Sequence, residues 1–233
     1  MSLWNDLYER KCPRGGGDVS SLYAEPDLSE IIWPVEKQSF ADKNDQYRMK
    51  EALYMRFASG TVDLVCLGDS ITQRFEWADA IPDRRVANRG IGSDTTDGML
   101  ARMDSVIKLE PEMISIMAGI NDISLKRTAD EIEASYRDIL DTLEQELPET
   151  KIIVSSVLPV TEAHPIQSED ILEVNRRIKL LCEEKSVTYL DLFDAFADEN
   201  QNLKAEYAVD TVHLTPQGYA LWLSYLCPVL VEK

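Results

Sequence analysis

Four short stretches of this chain carry side chains that could do chemistry together. Gly68-Asp69-Ser70-Ile71-Thr72 puts a hydroxyl directly after an apolar run and at the start of a helical pattern. There it would sit among amide donors at the positive end of a helix dipole, set for nucleophilic attack or for anion binding. Asp-Ser is equally a common turn and cap. Asn88-Arg89-Gly90-Ile91-Gly92-Ser93-Asp94-Thr95-Thr96 has glycines that let backbone amides turn inward as a nest for an oxyanion or a phosphate. The same loop reads as a glycine-rich strand-to-helix turn capped by Asp94 or Thr95, and no Gly-Lys-Ser/Thr follows, so it is not a Walker loop. Gly119-Ile120-Asn121-Asp122 offers a carboxamide that could donate to a negative oxygen without bringing a charge, or a turn asparagine.

The fourth stretch is Asp210-Thr211-Val212-His213. Serine is a poor nucleophile until a base takes its proton, and histidine titrates in the range that suits this task. The chain has 2 histidines. His164, in Glu162-Ala163-His164-Pro165, has no partner at a fixed spacing and reads as a surface residue. His213 has an aspartate three positions earlier, close enough to bond Nδ1 and leave Nε2 facing a serine.

The elements around these stretches alternate. Val62–Leu67, Arg85–Asn88, Met113–Ala118, Ile152–Leu158 and Val187–Phe193 read as strands, mostly continuous apolar runs suited to a sheet covered on both faces. Helical stripes lie between and after them: Met99, Leu100, Met103, Val106 and Ile107; Ile132 to Leu147 behind a Thr128–Glu131 capping box; Ile171 to Cys182; and a closing helix started by Thr215-Pro216. This alternation predicts a doubly wound, three-layer α/β domain over residues 60–233, with ligands bound beyond the C-terminal ends of the strands. Three of the four stretches lie there, and the fourth just precedes the last helix. Residues 1–59 read as an irregular arm, marked by Trp4, Trp33 and Phe40, followed by an amphipathic helix from Asp45 to Ser59 with Tyr47, Leu53, Tyr54 and Phe57.

In this order, Gly-Asp-Ser, the Asn–Gly loop, Gly-x-Asn-Asp and Asp-x-x-His make the chain similar to the SGNH (GDSL) hydrolase family over roughly residues 60–231. The resemblance implies a flavodoxin-like five-stranded parallel sheet of order 2-1-3-4-5, which would set the loops of Ser70, Ser93 and Asn121 side by side. It further implies a serine esterase with Ser70 as nucleophile, His213 as base, Asp210 as its partner, and an oxyanion hole from the Ser70 and Ser93 amides and the Asn121 carboxamide. The substrate would be a small lipid, carbohydrate or aryl ester, with a lean toward short, acetyl-type acyl groups. No metal or other cofactor is expected. The chain departs from the family at one point: Ser93 stands where a glycine usually precedes Asp-Thr, with Gly92 one position earlier.

Composition narrows the field. The 233 residues are 44% hydrophobic and 28% charged, as in an ordinary globular protein, and 24 Lys and Arg against 42 Asp and Glu give a net charge of −18. Such a surface repels polyanions, so nucleic acid and anionic membranes are poor partners. No run approaches the roughly 18 apolar residues of a membrane span. Cys12, Cys66, Cys182 and Cys227 form no CxxC pair, and Cys66 and Cys182 sit in apolar runs as buried free thiols. The N-terminus lacks a basic-then-apolar secretory pattern, so a cytoplasmic protein is expected. The arm is expected to pack on its own domain; capping the pocket or forming a subunit interface in a homo-oligomer are the other readings. The rival functional readings are a non-catalytic flavodoxin-like binding protein and an inactive scaffold.

Overall fold

Five of the apolar runs become short parallel strands of one sheet: β1 (Leu64–Gly68), β2 (Val86–Gly90), β3 (Met113–Met117), β4 (Lys151–Ser155) and β5 (Thr188–Leu190), in the order β2-β1-β3-β4-β5. The computed structural model describes residues 45–58 and 60–231. Trp4, Cys12, Trp33, Phe40 and Ser59 lie outside the described residues.

Helices connect the strands and cover both faces. α1 (Asp45–Phe57) precedes the sheet; α2 (Ser70–Gln73) and α3 (Trp77–Ala80) follow β1; α4 (Thr96–Ala101) and α5 (Asp104–Ile107) follow β2. α6 (Ile120–Ser124) and α7 (Ala129–Glu146) follow β3, α8 (Ser168–Glu184) follows β4, and α9 (Phe193–Phe196) and α10 (Pro216–Val231) follow β5. Side chains alternate across a strand. Val65 and Leu67 of β1 therefore join a core with α7 and α8, while Leu64 and Cys66 join another with Trp77 and Trp222. The expected doubly wound α/β class, its three layers and its strand order are all present.

The capping box forms as expected: the Thr128 hydroxyl accepts the Glu131 amide, and Glu131 accepts the Thr128 amide at 2.7 Å. At the start of α10 the Thr215 hydroxyl accepts the Gly218 amide at 3.2 Å. Cys66 and Cys182 are buried free thiols.

Three expectations need correction. The single stripe from Met99 to Ile107 is two short helices, broken at Arg102, whose buried guanidinium turns inward to Asp94 and to strand carbonyls. The last two strands are shorter than their apolar runs, because the Ser156 hydroxyl takes the Leu192 amide at 2.9 Å and ends the ladder. In α1, Tyr47 is buried and Tyr54 half-buried, whereas Leu53 and Phe57 face solvent. The inward face is thus Tyr47, Lys50 and Tyr54, at helical spacing of three and four.

Among the described residues no helix is long and apolar enough to cross a membrane.

Candidate active site

Register decides where the loops emerge. Gly68 pairs with Gly90 on one side and with Met117 on the other, so β1, β2 and β3 end level. The loops that follow therefore open side by side. β2 and α2 approach so closely that a Cβ on Gly90 would lie 2.3 Å from the Gln73 nitrogen. Only glycine fits there.

Ser70 is the first residue of α2, so its amide has no acceptor within the helix. Its Oγ lies 2.9 Å from His213 Nε2, and His213 Nδ1 lies 2.7 Å from Asp210 Oδ2. The other carboxylate oxygen of Asp210 accepts the Val212 and His213 amides at 2.9 and 2.8 Å. Burial works against the Asp210 charge, but these two amides and the imidazole hold its carboxyl well below the usual carboxylate range. The carboxylate is thereby fixed in place and kept anionic, which favours the proton on Nδ1 and leaves the Nε2 lone pair to the serine hydroxyl. Tyr219 of α10 donates to the Ile71 carbonyl at 2.7 Å, tying the helix behind His213 to the one that begins with Ser70. His164, expected at the surface, is half-buried, with its Nδ1 accepting the Ile166 amide at 3.2 Å.

The second loop is held from below. Asp94 is buried, with Arg102 Nε donating to it at 2.8 Å and the Tyr47 hydroxyl at 3.1 Å. Arg102 also donates to the Arg89 and Gly68 carbonyls at 2.8 and 3.2 Å, so one guanidinium binds the loop to the ends of two strands. Burial pushes the Asp94 carboxyl up to about 6 while Arg102 pulls it down, which leaves it ionised at neutral pH. Thr95, not Asp94, is the side-chain cap of α4. The Gly92 amide is occupied: it donates to Gln73 Oε1 at 2.6 Å. Ser93 follows at φ 64°, in the left-handed region, and among the described residues its amide has no recorded acceptor.

Asn121 enters on α6 behind Gly119, whose φ of 127° turns the chain from the strand. Its Nδ2 donates to the Asp94 carbonyl at 2.9 Å and to Asp69 Oδ2 at 3.3 Å. Asp69 is fully buried, and its other oxygen accepts the Ile71 amide at 2.9 Å. Burial, with help from the nearby Asp94 and Asp122, pushes Asp69 up to about 7. Asp122 accepts the Thr96 hydroxyl and Arg127, both at 2.6 Å, and so joins the third loop to the start of α4.

All five predicted site residues, Ser70, Ser93, Asn121, Asp210 and His213, line this one rim. The residues that support the site, Arg102, Tyr47 and Gln73, are not among those predicted for it from the sequence. A lone arginine inside a run of apolar residues was the available signal. A pocket of about 320 Å³ opens over the rim, lined by Ser70, His213, Gly92 and Ser93 and by Lys50 and Arg74 among others. Among the described residues no three His, Cys, Asp or Glu side chains gather as a metal site requires.

The GDSL-like lipase/acylhydrolase family model matches residues 66–221. The chain belongs to that family. It is a hydrolase, of a kind that acts on esters, and the reading as a flavodoxin-like binding module falls away. Platelet-activating factor acetylhydrolase IB subunit alpha2 of Rattus norvegicus is 28% identical over 166 residues, covering 68% of this chain and 71% of the relative. A GDSL-like lipase from Bacteroides thetaiotaomicron superposes with TM-score 0.65 at 23% identity, covering 82% of this chain and 98% of that one. A variant of an acetyl-xylooligosaccharide esterase from Geobacillus superposes with TM-score 0.61 at 23% identity, covering 76% and 97%.

Proposed function

We propose that this hydrolase cleaves short-acyl, acetyl-type carboxylic esters through an acyl-enzyme on Ser70. The observation that carries the reading is the continuous path from Ser70 Oγ through His213 to Asp210, at 2.9 and 2.7 Å. His213 Nε2 takes the hydroxyl proton as Oγ attacks the ester carbonyl. The tetrahedral oxyanion is received by the amides of Ser70 and Ser93 and by Asn121. Ser93 serves rather than Gly92, whose N–H is already engaged by Gln73. Asn121 turns toward the oxyanion the N–H whose present bond, to Asp69, is the longer of its two. The intermediate collapses as His213 hands its proton to the leaving alcohol. A water, deprotonated by the same nitrogen, then attacks the acyl carbon, and Ser70 regains its proton as the carboxylic acid departs.

The acetyl preference draws on two relatives named for acetyl esters, the acetylhydrolase subunit and the acetyl-xylooligosaccharide esterase. A series of p-nitrophenyl esters of increasing acyl length tests both parts. Hydrolysis should be fastest with acetyl, and Ser70→Ala should lower kcat by about three orders of magnitude or more. Asn121→Ala should lower kcat by roughly 10²–10³ with little change in KM. A Ser70→Ala protein that keeps most of its activity would remove the mechanism, and an optimum at long acyl chains would remove the acetyl preference.

A further inference from the structure

The pocket over Ser70 differs in charge from the rest of the molecule. The chain has 42 acidic side chains against 24 basic ones, yet among the described residues the pocket is lined by Lys50 and Arg74 and by no aspartate or glutamate. Lys50 is held there by α1. It lies on the inward face between Tyr47 and Tyr54, and its Nζ donates to the Tyr54 hydroxyl at 3.4 Å and sits 5.6 Å from that ring. Tyr54 in turn donates to the Gly90 carbonyl at 2.8 Å and stacks under Arg89, so the tyrosine beneath Lys50 is anchored to the strand end. Among the described residues no carboxylate lies within ion-pair distance of Lys50, whereas Arg137, Arg176 and Arg177 on the outer helices each pair with a glutamate. Arg74 reaches Asp210 at only 3.7 Å, half-exposed, with donors left over. A short acyl group carries no charge of its own, so an anionic group that reached Lys50 and Arg74 in this pocket would belong to the alcohol portion of the ester.

An ammonium whose hydrogen bond among the described residues is a long one to a phenol gains more from an oxyanion. The chain's net negative charge does not cancel this: at physiological salt the Debye length is about 8 Å, so remote carboxylates are screened more than cations in contact with a ligand. We infer that Lys50 and Arg74 form a subsite for an oxyanion on the alcohol portion of the ester, so that the natural substrate is an acylated compound bearing a carboxylate or a phosphate. This deepens the esterase reading and rests on it.

Three aryl acetates that differ only at the para position test it on the full chain: para-acetoxybenzoate, para-acetoxyphenyl phosphate and methyl para-acetoxybenzoate. Each kcat/KM is divided by the ester's own imidazole-catalysed rate, which removes differences in intrinsic reactivity. At least one of the two anionic esters should exceed the neutral one by about tenfold or more, and which one does so separates a carboxylate from a phosphate ligand. Lys50→Gln should bring that ratio toward one, and Lys50→Arg should keep it. A wild-type ratio at or below one, or a ratio unmoved by Lys50→Gln in a protein with unaltered thermal unfolding, overturns the subsite. Loss of Ser70-dependent hydrolysis of the neutral methyl ester would instead strike the esterase reading, so the two failures are distinct.

Discussion

At Ser93 the backbone stands at φ 64°, where a residue with a Cβ pays a strain of roughly 1–3 kcal/mol. Glycine would relieve it while losing about 0.5–1 kcal/mol to unfolded-state entropy. Ser93→Gly should therefore be neutral or stabilising by up to about 2 kcal/mol in urea unfolding, and a clear loss would show that the serine side chain holds the turn. The spacing of the sequence exposed this position as unusual, but only the dihedral angle explains what the usual glycine is for. Asp69 is a second case. Its carboxyl is pushed up to about 7 by burial, against an ordinary value near 4 in the unfolded chain. A raised carboxyl pKa gives a stability contribution that is whole below the unfolded value and is lost as pH rises through the folded one. Wild type therefore loses stability on this account between about pH 4 and pH 7, and Asp69→Asn does not. The stability of the variant relative to wild type should rise across that window, by something on the order of a few kcal/mol, in unfolding at pH 4.5 and 8. A difference that stays constant with pH would mean that Asp69 ionises as freely in the fold as outside it.

The elements that carry the loops were the most legible part of the sequence, because nearly continuous apolar runs mark buried parallel strands and helical stripes mark their covers. What holds those elements together at the site was much less so. Arg102 stands out locally only as an arginine among apolar neighbours, and that alone does not say that Asp94 and two strand carbonyls will lie beneath it. Likewise the apolar pattern of α1 could not say that Leu53 and Phe57 turn outward while Lys50 turns in. Long-range polar pairs of this kind have no sequence period to betray them. Their energetics are nevertheless testable. Arg102→Met removes the counter-charge of a fully buried carboxylate and should cost about 3–5 kcal/mol. Adding Asp94→Asn should recover a good part of that loss, because the stranded charge is then gone. Two substitutions whose costs simply add in urea unfolding would show that the pair is not coupled.

For the molecule as a whole, the net charge of −18 and the folded sheet pull in opposite directions, since compacting like charges raises their mutual repulsion. Salt screens that repulsion, but it also screens attractive surface pairs such as Arg137–Glu184, Arg176–Glu173 and Arg177–Glu133. Magnitudes decide between them. Exposed pairs contribute about 0–1 kcal/mol each, and each loses only part of that on screening, while the excess of acidic groups repels over many pairs at once. The buried Arg102–Asp94 pair, at 0% side-chain exposure for both partners, is hardly screened. Raising sodium chloride from 10 to 150 mM shortens the Debye length from about 30 to about 8 Å, and Tm at pH 8 should rise by a few degrees in calorimetry. A Tm that falls over this range would mean that surface ion pairs outweigh the acidic excess, and that the charge imbalance is distributed so as to cost the fold little.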